Sequence, residues 1–221
     1  AKAKIEAFAG EVVYNETGKP LQPEQLIPLL AGVDGYIAGV DYITVEVVAR
    51  APDCLRVISR YGAGTDRVDI PACTARGIKV TNTPGTNSVA VAELAFALML
   101  NVARNIPQLH ASVERGEWVR SEGIELCGKT LGIVGMGAIG KHIATRAKAF
   151  GMVVNAYDPY FDEAFAAQHG IGQETLDGVL KTSDFVTLHV PLNEETRHMI
   201  DADRIAKMKD GVILLNNSRG Q

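Results

Sequence analysis

Thr130-Leu131-Gly132-Ile133-Val134-Gly135-Met136-Gly137-Ala138-Ile139-Gly140 is followed by a helical stretch, Lys141 to Phe150, and then by Val153-Val154-Asn155-Ala156-Tyr157-Asp158. This stretch decides the fold. An apolar β-branched run, a glycine turn, a helix and a second apolar run spell a βαβ unit. Each glycine has its own task. Gly135 permits the tight turn after the strand, Gly137 lets a bulky anion approach the backbone, and Gly140 lets the helix pack close on the strand. The helix head offers free N–H groups and the positive end of a dipole, with Ala138 and Ile139 in its first turn. Asp158 ends the next strand, where a carboxylate accepts hydrogen bonds from ribose hydroxyls. A lone G-x-G-x-x-G is often only a glycine-rich turn. The strand before it, the helix after it and the acid beyond make it a dinucleotide fingerprint. Asp158 favours NAD, because its charge repels the extra phosphate of NADP, and Pro159-Tyr160 supplies no arginine for that phosphate.

Working outward, short β-branched runs alternate with helical stretches, which reads as α/β with mostly parallel sheets. Expected strands are Val12–Tyr14, Gly35–Ala38, Val57–Arg60, Lys79–Thr81, Thr130–Val134, Val153–Tyr157, Phe185–Leu188 and Val212–Leu215. Expected helices include 1–9, Pro23–Leu30, Thr44–Ala49, Ile70–Arg76, Ser88–Asn105, Ile139–Phe150, Thr175–Lys181 and Ala202–Lys207. The segment Asn82-Thr83-Pro84-Gly85-Thr86-Asn87 stops one strand, and Ser88 can cap the long helix beyond it. It marks a joint, giving domains of 1–83 and 84–221.

The 221 residues are 47% hydrophobic and 22% charged, enough for one large or two modest domains. The net charge is −4 and no basic block occurs, which disfavours nucleic acid as a partner. Cys54, Cys73 and Cys127 are scattered without a C-x-x-C pair, so reduced thiols in a cytoplasmic protein are expected and no metal site. The start Ala1-Lys2-Ala3-Lys4 carries no secretory signal. The most apolar run, Val89–Leu100, is too short to span a membrane. A helix apolar on nearly all sides is buried, in a core or between subunits.

Further motifs come in a familiar order. Asn82-Thr83-Pro84, Glu93 and Gly128-Lys129-Thr130-Leu131-Gly132 precede the glycine turn; Tyr157-Asp158-Pro159, His189-Val190-Pro191-Leu192, Thr196-Arg197-His198 and Asn216-Asn217-Ser218-Arg219-Gly220 follow it. The chain resembles the D-isomer-specific 2-hydroxyacid dehydrogenases, and is most similar to their phosphoglycerate dehydrogenases. The resemblance implies two Rossmann- or flavodoxin-like domains, the first for substrate and the second for NAD, with the active site in a cleft between them. It implies an NAD-dependent oxidoreductase exchanging hydride with C2 of a small 2-hydroxy or 2-oxo acid, and a homodimer paired through the cofactor domain. His189, Val190 and Pro191 fall in its loop beside the cofactor, as do Asn217, Ser218 and Arg219.

In the family the loop matching Tyr61-Gly62-Ala63-Gly64-Thr65-Asp66 faces the substrate carboxylate, which makes Gly62, Ala63 and Gly64 substrate-binding. On residues alone, this loop reads first as an ordinary strand-to-helix turn. The arginine matching Arg219 holds the substrate carboxylate and polarises the keto group. A guanidinium suits that task, being forked and permanently charged. Without the resemblance, Arg219 reads equally well as a surface arginine.

The family's catalytic histidine and its glutamate partner lie beyond the arginine motif, and the sequence ends at Gln221. The family also opens on a strand before its first helix. Both domains are therefore expected to be incomplete, and the chain to be inactive by itself. A non-catalytic NAD-binding regulator or an inactive fragment of the same fold is the alternative. His189 and His198 belong to loops rather than to the catalytic pair, and His110, His142 and His169 read as surface residues. Two departures stand out: Ala138 replaces an arginine that many relatives place near the pyrophosphate, and Gln221 replaces a second glycine.

Overall fold

The computed structural model describes residues 2–221. The chain divides into two units, Ala1–Thr86 and Asn87–Gln221. The break falls between Thr86 and Asn87, where the sequence placed it between 83 and 84.

In the first unit, helices α1 (Lys2–Phe8) and α2 (Pro23–Leu29) precede a β-α-β-α-β run: β1 (Gly35–Ala38), α3 (Val45–Arg50), β2 (Val57–Arg60), α4 (Ile70–Ala75) and β3 (Lys79–Thr81). The strands form a parallel sheet in the order β1-β2-β3, as crossover helices require. The helices begin where side chains satisfy free amides. Thr44 accepts from the Val47 amide at 3.4 Å, and Asp69 accepts from that of Ala72 at 2.8 Å. Leu26, Ile43, Val47, Val48, Ile58 and Cys73 fill the core.

The expected strand Val12–Tyr14 does not form; residues 9–22 hold no regular structure. A strand exists only through its ladder, and among the described residues no strand pairs with this run. Instead, the turn chemistry just beyond takes over, with Asn15 Oδ1 accepting from the Thr17 amide at 3.0 Å. Val13 is left exposed.

The second unit opens with α5 (Ser88–Ala103) and α6 (Ile106–Glu114). Then come β4 (Thr130–Val134), α7 (Ala138–Ala149), β5 (Val153–Tyr157), α8 (Glu163–His169), β6 (Gly172–Gln173), α9 (Leu176–Thr182), β7 (Phe185–Leu188), α10 (Ala202–Ile205) and β8 (Ile213–Asn216). The five strands are parallel in the order β6-β5-β4-β7-β8. From β4 the chain winds outward to β6, then returns to lay β7 on β4's other side. Ligands in open α/β sheets bind where the order reverses, outside the carboxyl ends of the two central strands. Here that place lies between β4 and β7.

Both faces of this sheet are covered, which explains why β4 and β7 read as continuous apolar runs. Leu131, Ile133, Phe185 and Leu215 pack with residues of α5 and α7, and Val134, Val186 and Leu188 pack with Val179 and Leu180 of α9. The absence of a side chain at Gly132 lets α9 close on β4: a Cβ there would lie 2.3 Å from Ser183 Oγ and 2.6 Å from Val179 Cγ1.

Several expected bounds shift by one or two residues. Strand β8 starts at Ile213 rather than Val212, because the Val212 amide closes a turn on Lys209 O at 3.1 Å. Helix α10 ends at Ile205, and the residues beyond it tighten into turns. His142 and His169 are half-buried rather than surface residues, and the His169 ring packs 4.3 Å from that of Phe165. No single helix among the described residues is long and apolar enough to cross a membrane. Helix α5 hides one face, with Ala92, Ala95 and Met99 fully buried, and leaves Leu94, Leu98 and Val102 exposed.

Candidate functional site

The turn leaving β4 is shaped by its glycines. Gly135 has φ +102°, a conformation that L side chains rarely adopt, and its amide donates to Tyr157 O at 2.8 Å. A Cβ on it would meet the backbone of His189 at 2.8 Å, so the loop after β7 lies directly against the turn. A Cβ on Gly140 would sit 2.2 Å from Gly135 O, which is why α7 can start so close to β4. Around Gly137, by contrast, a Cβ would meet nothing within 4 Å. The ladder of α7 opens with the Lys141 amide donating to Gly137 O at 3.0 Å, which leaves the amides of Ala138, Ile139 and Gly140 at the helix head. No acidic side chain stands in the first turn of α7. An anion beside Gly137 thus meets open space, helix-head amides and the positive dipole end together.

Asp158 follows β5 and is half-buried. One oxygen accepts from the Met136 amide at 2.7 Å and the other from the Tyr160 amide at 2.8 Å. The carboxylate is therefore fixed in orientation by the glycine turn itself. Each oxygen keeps further lone-pair capacity for a ligand hydroxyl.

At the end of β7, His189 continues the ladder, its amide donating to Val134 O at 2.8 Å. Its Nε2 lies 2.8 Å from the hydroxyl of Thr187, which is fully buried. Its Nδ1 is buried without a hydrogen-bond partner among the described residues, and so is Asn217 Oδ1. Burial pushes the His189 imidazole down to about 4, so the ring is neutral at ordinary pH. Because the unfolded chain takes up a proton near pH 6.5 that the folded chain refuses, stability is full above that pH. It falls as the pH drops from about 6.5 to 4, by up to about 3 kcal/mol. Thermal unfolding followed across this window should show that loss, and His189→Gln should remove it; an unchanged pH profile in the variant would contradict the assignment.

Val190 and Pro191 line a cavity of about 330 Å³ together with Leu188, Met199, Asn216, Ser218 and Arg219. The β8 end is tied across to β7, with Ser218 Oγ donating to Leu188 O at 2.9 Å. Asn216 braces the turn by accepting from the Ser218 amide at 2.9 Å and donating to Arg219 O at 2.7 Å. Arg219 is exposed, and one of its nitrogens donates to Ser218 O at 3.0 Å.

The second unit thus brings Gly135, Gly137, Ala138, Ile139, Gly140, Asp158, His189 and Asn217 to the carboxyl edge of one sheet. The Gly62-Ala63-Gly64 loop belongs to the first unit and follows the carboxyl end of β2. Gly62 has φ +139°, donates to Thr83 Oγ1 at 3.1 Å and accepts from the Thr83 amide at 3.1 Å. Asn82 Nδ2 donates to Ala63 O at 2.7 Å. Sequence reasoning missed Arg60, whose guanidinium lies 3.2 Å from where a Gly62 Cβ would be and donates to Ala38 O and Tyr61 O. It also missed Thr187, whose i,i+2 spacing to His189 on a strand was the available signal.

The dinucleotide fits these features. Gly137 leaves room for the pyrophosphate, Asp158 presents a fixed acceptor for ribose, and two buried polar atoms stand unpaired at the β7 and β8 ends. Residues 96–221 match the family model described as D-isomer specific 2-hydroxyacid dehydrogenase, NAD binding domain. The chain is 43% identical over 221 residues to a D-3-phosphoglycerate dehydrogenase of Methanocaldococcus jannaschii, covering 98% of this chain and 41% of that one. It is 42% identical over 207 residues to a hydroxypyruvate reductase of Thermotoga maritima, covering 92% of this chain and 66% of that one. Among solved structures, D-lactate dehydrogenase from Aquifex aeolicus, complexed with NAD and lactic acid, superposes with a TM-score of 0.85 at 32% identity, over 99% of this chain and 66% of that one.

Proposed function

The chain belongs to the D-isomer specific 2-hydroxyacid dehydrogenases, and from that premise we propose that it serves NAD-dependent oxidoreduction of a small D-2-hydroxy or 2-oxo acid, 3-phosphoglycerate-like in kind. NAD, when bound, supplies the hydride chemistry. The chain's own residues bind and orient. Gly135, Gly137 and the amides of Ala138, Ile139 and Gly140 take the pyrophosphate. Asp158 takes the adenosine ribose, and the 189–191 and 217–219 loops flank the nicotinamide half. In the first unit the Gly62-Ala63-Gly64 loop offers amides to an anion, and in the second Arg219 pairs with the substrate carboxylate and draws electron density from the keto oxygen.

The single observation that carries this reading is Asp158 locked by the Met136 amide of the glycine turn. A carboxylate so held is preformed for two vicinal hydroxyls and repels a 2′-phosphate. Replacing Asp158 with Ala should weaken NAD binding by about 1–3 kcal/mol, through lost charge-assisted bonds. Calorimetric titration checks this, and an affinity within twofold of the parent would remove Asp158 from the site. For the activity itself, a panel of 2-oxo acids is offered with NADH to full-length protein that carries the family's histidine and glutamate, and the absorbance followed. Consumption with a compact 2-oxo acid, and none with simple aldehydes or ketones lacking the carboxylate, is the expected result. The reverse pattern would overturn the substrate class.

We also infer a homodimer formed through α5. Leu94, Leu98 and Val102 recur at i, i+4 and i+8 with 52%, 41% and 55% exposure, and Trp118 is 87% exposed. Such a stripe suits an interface core, and an exposed tryptophan is a residue that interfaces favour. Light scattering at micromolar concentration should give the mass of two chains, and a monomer would rule the pairing out.

A further inference from the structure

Asp158 repels a 2′-phosphate by its charge, and the residues next to it in sequence bring no arginine to receive one. A cation nevertheless comes to this part of the sheet edge, from α7. Lys141 lies near the head of that helix, and its Nζ stands 2.5 Å from Asp162 Oδ2. Asp162 is four residues past Asp158. The chain between them turns back, since Asp158 Oδ1 accepts from the Tyr160 amide at 2.8 Å. The later cations of α7 serve elsewhere. Arg146 stands 3.7 Å from Glu93, and Lys148 Nζ donates to Gly170 O at 3.2 Å.

Lys141 follows Gly137 by four residues and Ala138 by three, so it shares a side of the helix with both. Helical side chains lean toward the N-terminus and cover the turn ahead of their own Cα. Ala138 is too short to fill that turn, and the side of Gly137 is open. A lysine left to itself would carry its ammonium over this helix head. Two contacts hold it back at the start of α8 instead: the Asp162 carboxylate, and the ring of Phe165 with its centroid 5.1 Å from Nζ.

Asp162 also caps α8, its other oxygen accepting from the Phe165 amide at 3.0 Å. A cap needs an acceptor and no charge, and asparagine or serine caps as well as aspartate. What the charge adds is the hold on Lys141. That hold persists at ordinary pH, because the hydrogen bond from Lys141 keeps the Asp162 carboxyl below the usual carboxylate range.

We propose that Asp162 is a specificity-determining residue for the cofactor: it sequesters Lys141 and so denies NADP the counter-charge that its 2′-phosphate needs. This rests on the NAD reading above. The two acids then divide one task, Asp158 repelling the phosphate and Asp162 withholding its partner. An ammonium meets a phosphate as a point charge, so the released lysine needs no particular fork geometry.

The test is a set of calorimetric titrations of NAD and NADP into the parent, Asp162→Asn, Lys141→Met and the double variant. Asp162→Asn keeps the cap and frees the lysine. NADP should bind it about tenfold more tightly than it binds the parent, the worth of roughly one charge-assisted hydrogen bond at a half-buried site. NAD affinity should stay within about threefold. In the double variant the NADP gain should vanish, leaving a ratio of NADP to NAD affinity within about twofold of that in Lys141→Met. A purely structural tie between α7 and α8 would leave the ratio unmoved in Asp162→Asn, and that result overturns the proposal. A gain that survives in the double variant also overturns it, because loss of the acid's own repulsion then explains everything. Equal tightening of NAD and NADP overturns it too, since the lysine has then gone to the pyrophosphate they share. If Asp162→Asn melts before it can be titrated, Asp162→Ser, which also caps, takes its place with the same expected ratio. NAD binding with an unmoved ratio sinks this proposal alone, whereas a parent that binds neither dinucleotide sinks the NAD reading and the proposal with it.

Discussion

Gly140→Ala is expected to lower the melting temperature by about 5–10 °C and to reduce NAD affinity at least 100-fold. The added Cβ would lie 2.2 Å from Gly135 O and 3.1 Å from Gly135 C. Both are backbone atoms of a turn whose own φ of +102° leaves it little freedom, so no side-chain rotation relieves the clash. Helix α7 must move away from β4, and Ile143, Ala144 and Ala147, all fully buried, move with it. The same movement carries the amides of Ala138 and Ile139 away from the pyrophosphate position, so stability and binding fail together. Calorimetric melting and an NAD titration measure the two losses. A melting temperature within 2 °C of the parent with intact affinity would show that the third glycine is not a packing requirement here.

In full-length protein, Arg219→Lys is expected to lower kcat/KM for the 2-oxo acid by about 100-fold or more, in line with removal of one oriented donor at a reacting oxygen. It should leave NAD binding unchanged. The substitution keeps the charge and loses the planar fork, which is the part that orients a carboxylate and its neighbouring keto group at once. The loop that presents residue 219 does not depend on its side chain, because Asn216 holds the turn through the Ser218 amide and Arg219 O. Steady-state rates and NADH quenching separate the two effects. Parent-like reduction of the acid would mean that Arg219 does not hold the substrate.

Most of the sheet was legible because its signal is local. Strands β4, β5 and β7 are continuous apolar runs in a sheet covered on both sides, and the glycine spacing between β4 and α7 permits few other backbones. What sequence reading missed depends on partners or on ambiguous signals. Helix α6 starts at Ile106-Pro107 after Asn105, whose φ is +53°. The proline looks like a breaker, yet sits in the first turn, where its missing N–H costs nothing. Helix α8 had its signal in Asp162, which caps by accepting from the Phe165 amide at 3.0 Å. Strand β6 is two residues long and exists only by pairing with β5. Val12–Tyr14 has a strand's residues and, among the described residues, no strand beside it.

The site divides in the same way. Gly135, Gly137, Gly140 and Asp158 announce themselves by spacing, since each meets a backbone demand set within the βαβ unit. The state of His189 does not, because it depends on Thr187 behind it and on burial by the folded sheet. The tie between Gly62 and Thr83 spans 21 residues and became visible only when β2 and β3 were side by side. Asp158 also carries a task that its position in the sequence does not reveal, bracing the Met136 amide of the glycine turn.

Gly137 offers the most direct test of the central claim that this edge of the sheet holds NAD, because its open side meets no protein atom within 4 Å. The measurement is a calorimetric titration of NAD into the parent and into Gly137→Ala, whose added methyl group disturbs nothing but a ligand. The account predicts saturable binding by the parent and at least tenfold weaker binding by the variant, with stability changed by no more than about 1 kcal/mol. Equal affinity in the two proteins, or no NAD binding by the parent, would contradict it.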